Sequence, residues 1–313
     1  MRPKILKTAT VHGGLFVLTF VTTTLAGVQW LNKNPFELSQ FFLGLPYSFL
    51  LLAFLTAHEM GHYVAARMHE VETTLPFFLP FPPFLIGPFG TFGAVIKIKS
   101  ELRDRESLLD IGAAGPISGF IVCLCTLAWG LTHLPSIEYL YSIYPEYRKL
   151  AEIPTDGLTF GKPLLYKVME LVIAPSKSFL PPMNEIYHYP FLCVGWFGML
   201  VTSLNLLPIG QLDGGHIAYA MFGSRSVRAS QVVLVMMSLL GTLGILPLLG
   251  INCPYGWSGW LLWSIVLALL LRSRAFRHPA VEITHELGTA RTAVGWLCAL
   301  ILIVSFTPTP FSP

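Results

Sequence analysis

Seven apolar runs, each close to the length needed to cross a bilayer, recur near residues 11–31, 45–68, 108–131, 190–209, 229–250, 255–271 and 291–308. A helix rises about 1.5 Å per residue, so roughly 20 apolar residues traverse a hydrocarbon core of about 30 Å. Few architectures are open to such a chain, because backbone N–H and C=O groups in lipid must be satisfied by the spanning structure itself. The expected fold is an all-α polytopic membrane protein with six to eight transmembrane helices. Charge content agrees: 12% of the 313 residues are charged, against about 25% in soluble domains.

The connections are less uniform. Leu75 to Pro88 is apolar and Pro-rich, and Gly90 to Lys99 alternates with β-branched residues, which predicts a short re-entrant or β-hairpin element near residues 75–100. The connection from Thr132 to Tyr189 carries an amphipathic helical pattern at Leu164 to Ile173, expected at the membrane surface. None is long enough for an additional globular domain of ordinary size. Residues 1–313 therefore read as one integral membrane domain, with a core of about 45–223 and C-terminal helices over about 229–308. The basic start, Met1 to Lys7, leads into an apolar run that reaches Trp30 without a cleavage signature, and is read as a retained first span.

With the N-terminus cytoplasmic, 14 of the 20 Lys and Arg residues fall inside and 6 outside, as the positive-inside rule requires. The expected location is a bacterial inner or plasma membrane. A net charge of +3, with no dense basic block, excludes nucleic acid as a partner. The five cysteines form no C-x-x-C pair and are expected to be buried free thiols.

The second run contains His58-Glu59-Met60-Gly61-His62. Histidines at i and i+4 share a helix face, so both imidazoles reach one metal while the glutamate sits beside its open position. The stated topology brings the fourth run down to Asn205–His216 at the same depth, and with it Asp213. An acid in so apolar a setting lines a cavity, pairs, or binds a cation. Pro208, Gly210, Gly214 and Gly215 are read as helix breakers facing that cavity. A catalytic zinc takes three protein ligands and keeps one position open. His58, His62 and Asp213 supply them for one Zn2+ per chain, and Glu59 is the general base and acid that activates water for hydrolysis.

His216 as a fourth ligand would close the site and is left outside the ligand set. His285-Glu286 lacks a second histidine and is read as surface loop. His12, His69, His133, His188 and His278 make no ligand spacing with one another and are expected in loops or interfaces. A membrane helix shields its peptide bonds, so a peptide substrate must unwind and bind extended. The run containing Gly93 and Val95 either offers an edge for that strand or forms an ordinary hairpin. Asn205 either donates to the substrate backbone and oxyanion or caps the break in its own helix. Gly112, Gly115 and Gly119 allow close helix approach, and Pro116 is the place for a kink. The competing classes are a polytopic metal-ion transporter and a catalytically silent relative that binds membrane proteins. Glu59 separates them from an enzyme, because neither needs a base between two ligands.

His58-Glu59-x-x-His62, Asn205-x-x-Pro208 and Leu212-Asp213-Gly214-Gly215-His216, some 150 residues apart, resemble the site-2 protease family of intramembrane zinc metalloproteases. Gly90 to Ser100, Ala114-Gly115-Pro116-Ile117-Ser118-Gly119 and Gly195-Trp196-Phe197-Gly198 resemble its plastid and bacterial subgroup. The resemblance implies the same roles for His58, His62, Asp213 and Glu59. It also implies a membrane-anchored protein substrate such as an anti-sigma factor or membrane-tethered regulator, within membrane lipid and compatible with a homo-oligomer. Many such proteins carry a PDZ or CBS domain; the connection from Thr132 to Tyr189 is shorter than a PDZ module, and neither domain is expected here.

Overall fold

Ser118 lies on a helix whose neighbour has glycine at the point of contact, and that pairing sets the central packing of the molecule. The computed structural model describes residues 2–83, 89–100, 102, 104–176, 178–251, 253–272 and 286–312. Helices α1 (Arg2–Trp30), α2 (Leu45–Met68) and α3 (Arg105–Thr132) come first. Between α2 and α3, β1 (Phe77–Pro80) and β2 (Thr91–Val95) form an antiparallel hairpin in the expected place, with Phe77 opposite Val95. The short helices α4 (Ile137–Ile143) and α5 (Leu164–Ile173) and the strand β3 (Thr159–Phe160) fill the next connection. Helices α6 (Pro190–Asn205), α7 (Asp213–Phe222), α8 (Ser226–Leu243), α9 (Gly259–Arg272) and α10 (Thr289–Ser305) follow, and β4 (Phe311–Ser312) ends the described chain.

Among the described residues, four stretches are long and apolar enough to cross a membrane: Ala9–Trp30, Leu38–Met68, Arg105–Thr132 and Asp213–Leu249. Three shorter apolar helices, α6, α9 and α10, have 16, 14 and 17 residues, or about 24, 21 and 26 Å at 1.5 Å per residue. The fourth apolar run thus stops being helical at Asn205 rather than near residue 209. Pro208 has no N–H to continue the ladder, and its carbonyl instead accepts a bond from Ser230 Oγ at 2.6 Å.

Helix α3 is the hub, packed against α2, α6, α7 and α10. A Cβ on Gly61 would lie 2.1 Å from Ser118 Oγ and 2.4 Å from the Ala114 carbonyl. Because Gly61 has none, Ser118 Oγ fits between the helices, 2.6 Å from the Ala114 carbonyl of its own helix and 2.8 Å from the Ala57 carbonyl across the seam, and its one hydrogen is shared between them. Helix α3 runs through Pro116 without interruption, and Asp104 caps it by accepting from the Ser107 N–H at 2.7 Å. At its first turn Arg105 Nε donates to the Ala220 carbonyl at 2.9 Å, holding the end of α7. Asp110 accepts from Arg291 Nε at 3.0 Å, tying in α10, and lies 2.9 Å from His69 Nε2 just beyond α2.

At the opposite end of the bundle, buried His188 donates from Nδ1 to the Trp30 carbonyl at 2.6 Å and faces Glu185 at 3.3 Å. The second small ladder, β3 with β4, was not expected; two residues per strand are too few to show alternation. It is buttressed by Trp196 Nε1 donating to the Gly161 carbonyl at 2.6 Å and Trp260 Nε1 to the Pro308 carbonyl at 2.8 Å. The expectation of buried thiols holds for Cys123, Cys193 and Cys298; Cys125 is exposed on α3 and Cys253 is half-buried. His278 and His285 lie outside the described residues, as do residues 84–88 of the Pro-rich segment.

Gly61→Ala should force α2 and α3 apart. The expected cost is about 1–3 kcal/mol, as for other overpacked cores, read as a lower thermal midpoint in detergent; an unchanged midpoint would contradict the tight seam.

Candidate active site

Helical periodicity places His58 and His62 one turn apart on the buried face of α2, with 4% and 7% of their surface exposed. The ring of His62 is oriented by α3: its Nδ1 lies 2.7 Å from the Ile111 carbonyl. A carbonyl only accepts, so Nδ1 carries the hydrogen and Nε2 is left with a lone pair. His58 Nε2 lies 3.2 Å from that nitrogen.

Asp213 arrives from the other side as the first residue of α7. Its Oδ2 lies 3.4 Å from His58 Nε2 and its Oδ1 3.4 Å from His62 Nε2. The turn that delivers it runs from Leu206 to Leu212, where the Ile209 N–H donates to the Leu207 carbonyl at 2.7 Å and the His216 N–H to the Leu212 carbonyl at 3.0 Å. Gly214 and Gly215 do not break a helix here, contrary to the expectation; both sit in the first turn of α7. Their role is close approach, since a Cβ on Gly214 would lie 1.9 Å from the Leu206 carbonyl.

The donor set fits a zinc ion. The two histidine Nε2 atoms lie 3.2 Å apart, and each has one Asp213 carboxylate oxygen at 3.4 Å, Oδ2 beside His58 and Oδ1 beside His62, so one ligand atom from each residue falls within 4.8 Å of the others, as a shared ion with arms of about 2.0–2.2 Å requires. Two histidines and a carboxylate are a hydrolytic zinc set with one position left open. His58, His62 and Asp213 form the group of potential ligands found among the described residues.

Beside them is a cavity of about 770 Å³ lined by Glu59, Val95, Ile96, Asn205 and His216 together with the three ligands. Glu59 is 6% exposed and faces the main chain of Ile96, the residue after β2. Asn205 Nδ2 stands 3.3 Å from His58 Nε2. A cation on that nitrogen would use the same lone pair and leave the amide able to donate elsewhere in the cavity. Val95 is in the lining; Gly93 is not, and lies on the hairpin at φ +97° with open space around it. The contributions of the Ile111 carbonyl and the Ile96 main chain are backbone effects with no signature in residue type. His216 was visible in the sequence, and it lines the cavity one turn after Asp213.

The sequence profile of Peptidase family M50 matches residues 46–245, from the start of α2 past the end of α8. Similar curated proteins include the probable zinc metalloprotease EGY1, chloroplastic, of Arabidopsis thaliana, 26% identical over 94% of this chain and 52% of its own length. The probable zinc metalloprotease EGY2, chloroplastic, of Oryza sativa subsp. indica is 29% identical over 95% of this chain and 50% of its own. The probable zinc metallopeptidase EGY3, chloroplastic, of Arabidopsis thaliana is 28% identical over 82% and 41%. The chain spans about half the length of the curated relatives it matches.

A Cβ on Gly115 would lie 2.0 Å from His62 Nε2. Gly115→Ala should therefore displace the ring and weaken Zn2+ binding by about 10–100-fold, the range seen when ligand orientation is lost. Metal titration of the purified variant checks this, and wild-type affinity would show that the ring has room to move.

Proposed function

The chain belongs to peptidase family M50, and from that premise we propose that it is an intramembrane zinc metalloendopeptidase acting on peptide bonds in or near transmembrane segments of membrane-anchored proteins. The observation that carries the reading is the convergence of His58, His62 and Asp213, whose potential ligand atoms lie within 4.8 Å of one another, beside Glu59 and an open cavity. When bound, zinc supplies a Lewis acid that acidifies water and polarises the scissile carbonyl.

The remaining work belongs to this chain's own groups. Glu59 takes a proton from the attacking water on its carboxylate and returns it to the leaving amine nitrogen. Asn205 Nδ2 donates to the substrate carbonyl as negative charge develops on its oxygen. The edge of β2 at Val95 and Ile96 receives the unwound substrate as an added strand, and Gly93 shapes the hairpin further along. The Ile111 carbonyl holds His62 in the tautomer that leaves Nε2 bare.

In this reading the three shorter apolar helices complete six to eight crossings, and residues 1–313 form one membrane domain with the site in about 45–223. The packing of α10 against α3, α6 and α7 supports that unity. The N-terminus is cytoplasmic. The asymmetry of basic residues supports that sidedness but does not choose an organelle, and the relatives' names place those proteins in the chloroplast. The substrate class is a single-span or similarly anchored protein, a membrane-tethered regulator among them.

Purified protein in detergent should cut a tagged single-span test substrate, lose the activity to chelator and regain it with Zn2+. Glu59→Gln should lower the rate by about 10²–10⁴-fold with metal retained, whereas Asp213→Ala should lose both. Equal metal loss in the two variants would overturn the assigned roles. Bound metal with no cutting by the wild type would favour transport.

A further inference from the structure

The hairpin that ends beside Glu59 lies along α1. His12 stands against Pro76, Phe16 is edge-on to Phe78 at 5.0 Å, and the Thr22 carbonyl abuts Gly90. Gly90 in turn accepts from the Phe81 N–H at 3.2 Å. Residues 12–22 of the helix rise about 15 Å, and residues 76–81 of the extended chain cover about 16 Å. Helix and strand are thus matched in length, with His12 at one end of the match.

At that end the tie is polar. His12 Nδ1 lies 2.9 Å from the Pro76 carbonyl, so it is the protonated nitrogen and donates. The same ring stacks on Phe77, with centroids 4.0 Å apart and planes at 30°. Phe77 is the register partner of Val95, which lines the cavity, and the next residue, Ile96, faces Glu59. A continuous chain of contacts therefore runs from His12 through Pro76 and Phe77 to the strand edge opposite the base.

We propose that His12 is a positioning residue that fixes the register and depth of the β1–β2 hairpin, and thereby which peptide bond of an extended substrate is presented to Glu59. This rests on the reading of β2 as the substrate edge. A two-stranded hairpin is marginal alone and needs an external anchor. A slip of one residue turns every side chain to the other face and moves a paired peptide by about 3.3 Å, one bond along. Helix α1 precedes the stretch matched by the family profile, residues 46–245, so the tie joins His12, outside that match, to a strand inside it.

The test compares full-length, zinc-loaded wild type with His12→Phe, which keeps the stack and loses the donor, and His12→Asn, whose amide restores a donor near the Nδ1 position. His12→Phe should raise KM at least fivefold with kcat within twofold, and should yield products ragged by one residue in mass spectrometry. It should also cost at least tenfold in amide exchange protection over residues 91–96, with zinc content unchanged. His12→Asn should reverse all three effects. Unchanged KM, a single product and unchanged protection would overturn the proposal, as would a general loss of protection together with zinc. If the wild type cuts nothing, the protease reading fails and exchange alone decides the tie: protection lost over 91–96 with Phe and regained with Asn upholds it, and protection unchanged overturns it.

Discussion

A ring nitrogen bonded to a carbonyl must be the protonated one, and the Ile111 carbonyl, 2.7 Å from His62 Nδ1, leaves the opposite nitrogen bare inside the site. With the other tautomer, Nε2–H would satisfy Asp213 by a hydrogen bond, and the cluster would have less need of a cation. The contact depends on how closely α3 approaches α2, and so on the glycine seam that Ser118 crosses. The same helix also packs against α7, with Gly112 next to His216 and the Asp213 carbonyl, so one element orients a histidine and backs the segment that brings Asp213 to it.

The hairpin presents a second constraint. An open strand edge within a bilayer is tolerated only where it lines a cavity, because lipid cannot satisfy its N–H and C=O groups. One edge of β2 is paired with β1, and the far end of the hairpin is tied to the bundle by Tyr47 OH donating to the Phe89 carbonyl at 3.2 Å. Among the described residues β2 has no second strand, and its Val95 end opens on the cavity that holds Glu59. The unpaired end of β2 is therefore located on the cavity, where the proposed extended substrate would pair with it.

Much of this was legible in the amino-acid order because its signals are periodic. His58 and His62 repeat at the helical interval, the pattern at Leu164 to Ile173 matches α5, and each apolar run falls on a helix. Asp213 could be matched to the histidines because charge is so rare in these runs. What escaped depends on backbone groups and short contacts. The Ile111 carbonyl could be any residue's carbonyl, Gly214 and Gly215 looked like breakers although they serve close packing, and the β3–β4 ladder is too brief to have a period.

That ladder joins Thr159 to Ser312 and Phe160 to Phe311, partners separated by about 150 positions, a long loop closure that local pairs avoid. During synthesis α2, α3 and α6 all emerge before the strand that completes this end of the bundle. Until it arrives, Phe160 and Trp196 lack the Phe311 ring that packs against them at 5.4 and 5.3 Å. The end remote from the metal ligands is thus the last to close, so the nascent chain carries a temporarily uncovered aromatic surface on the side away from its chemistry.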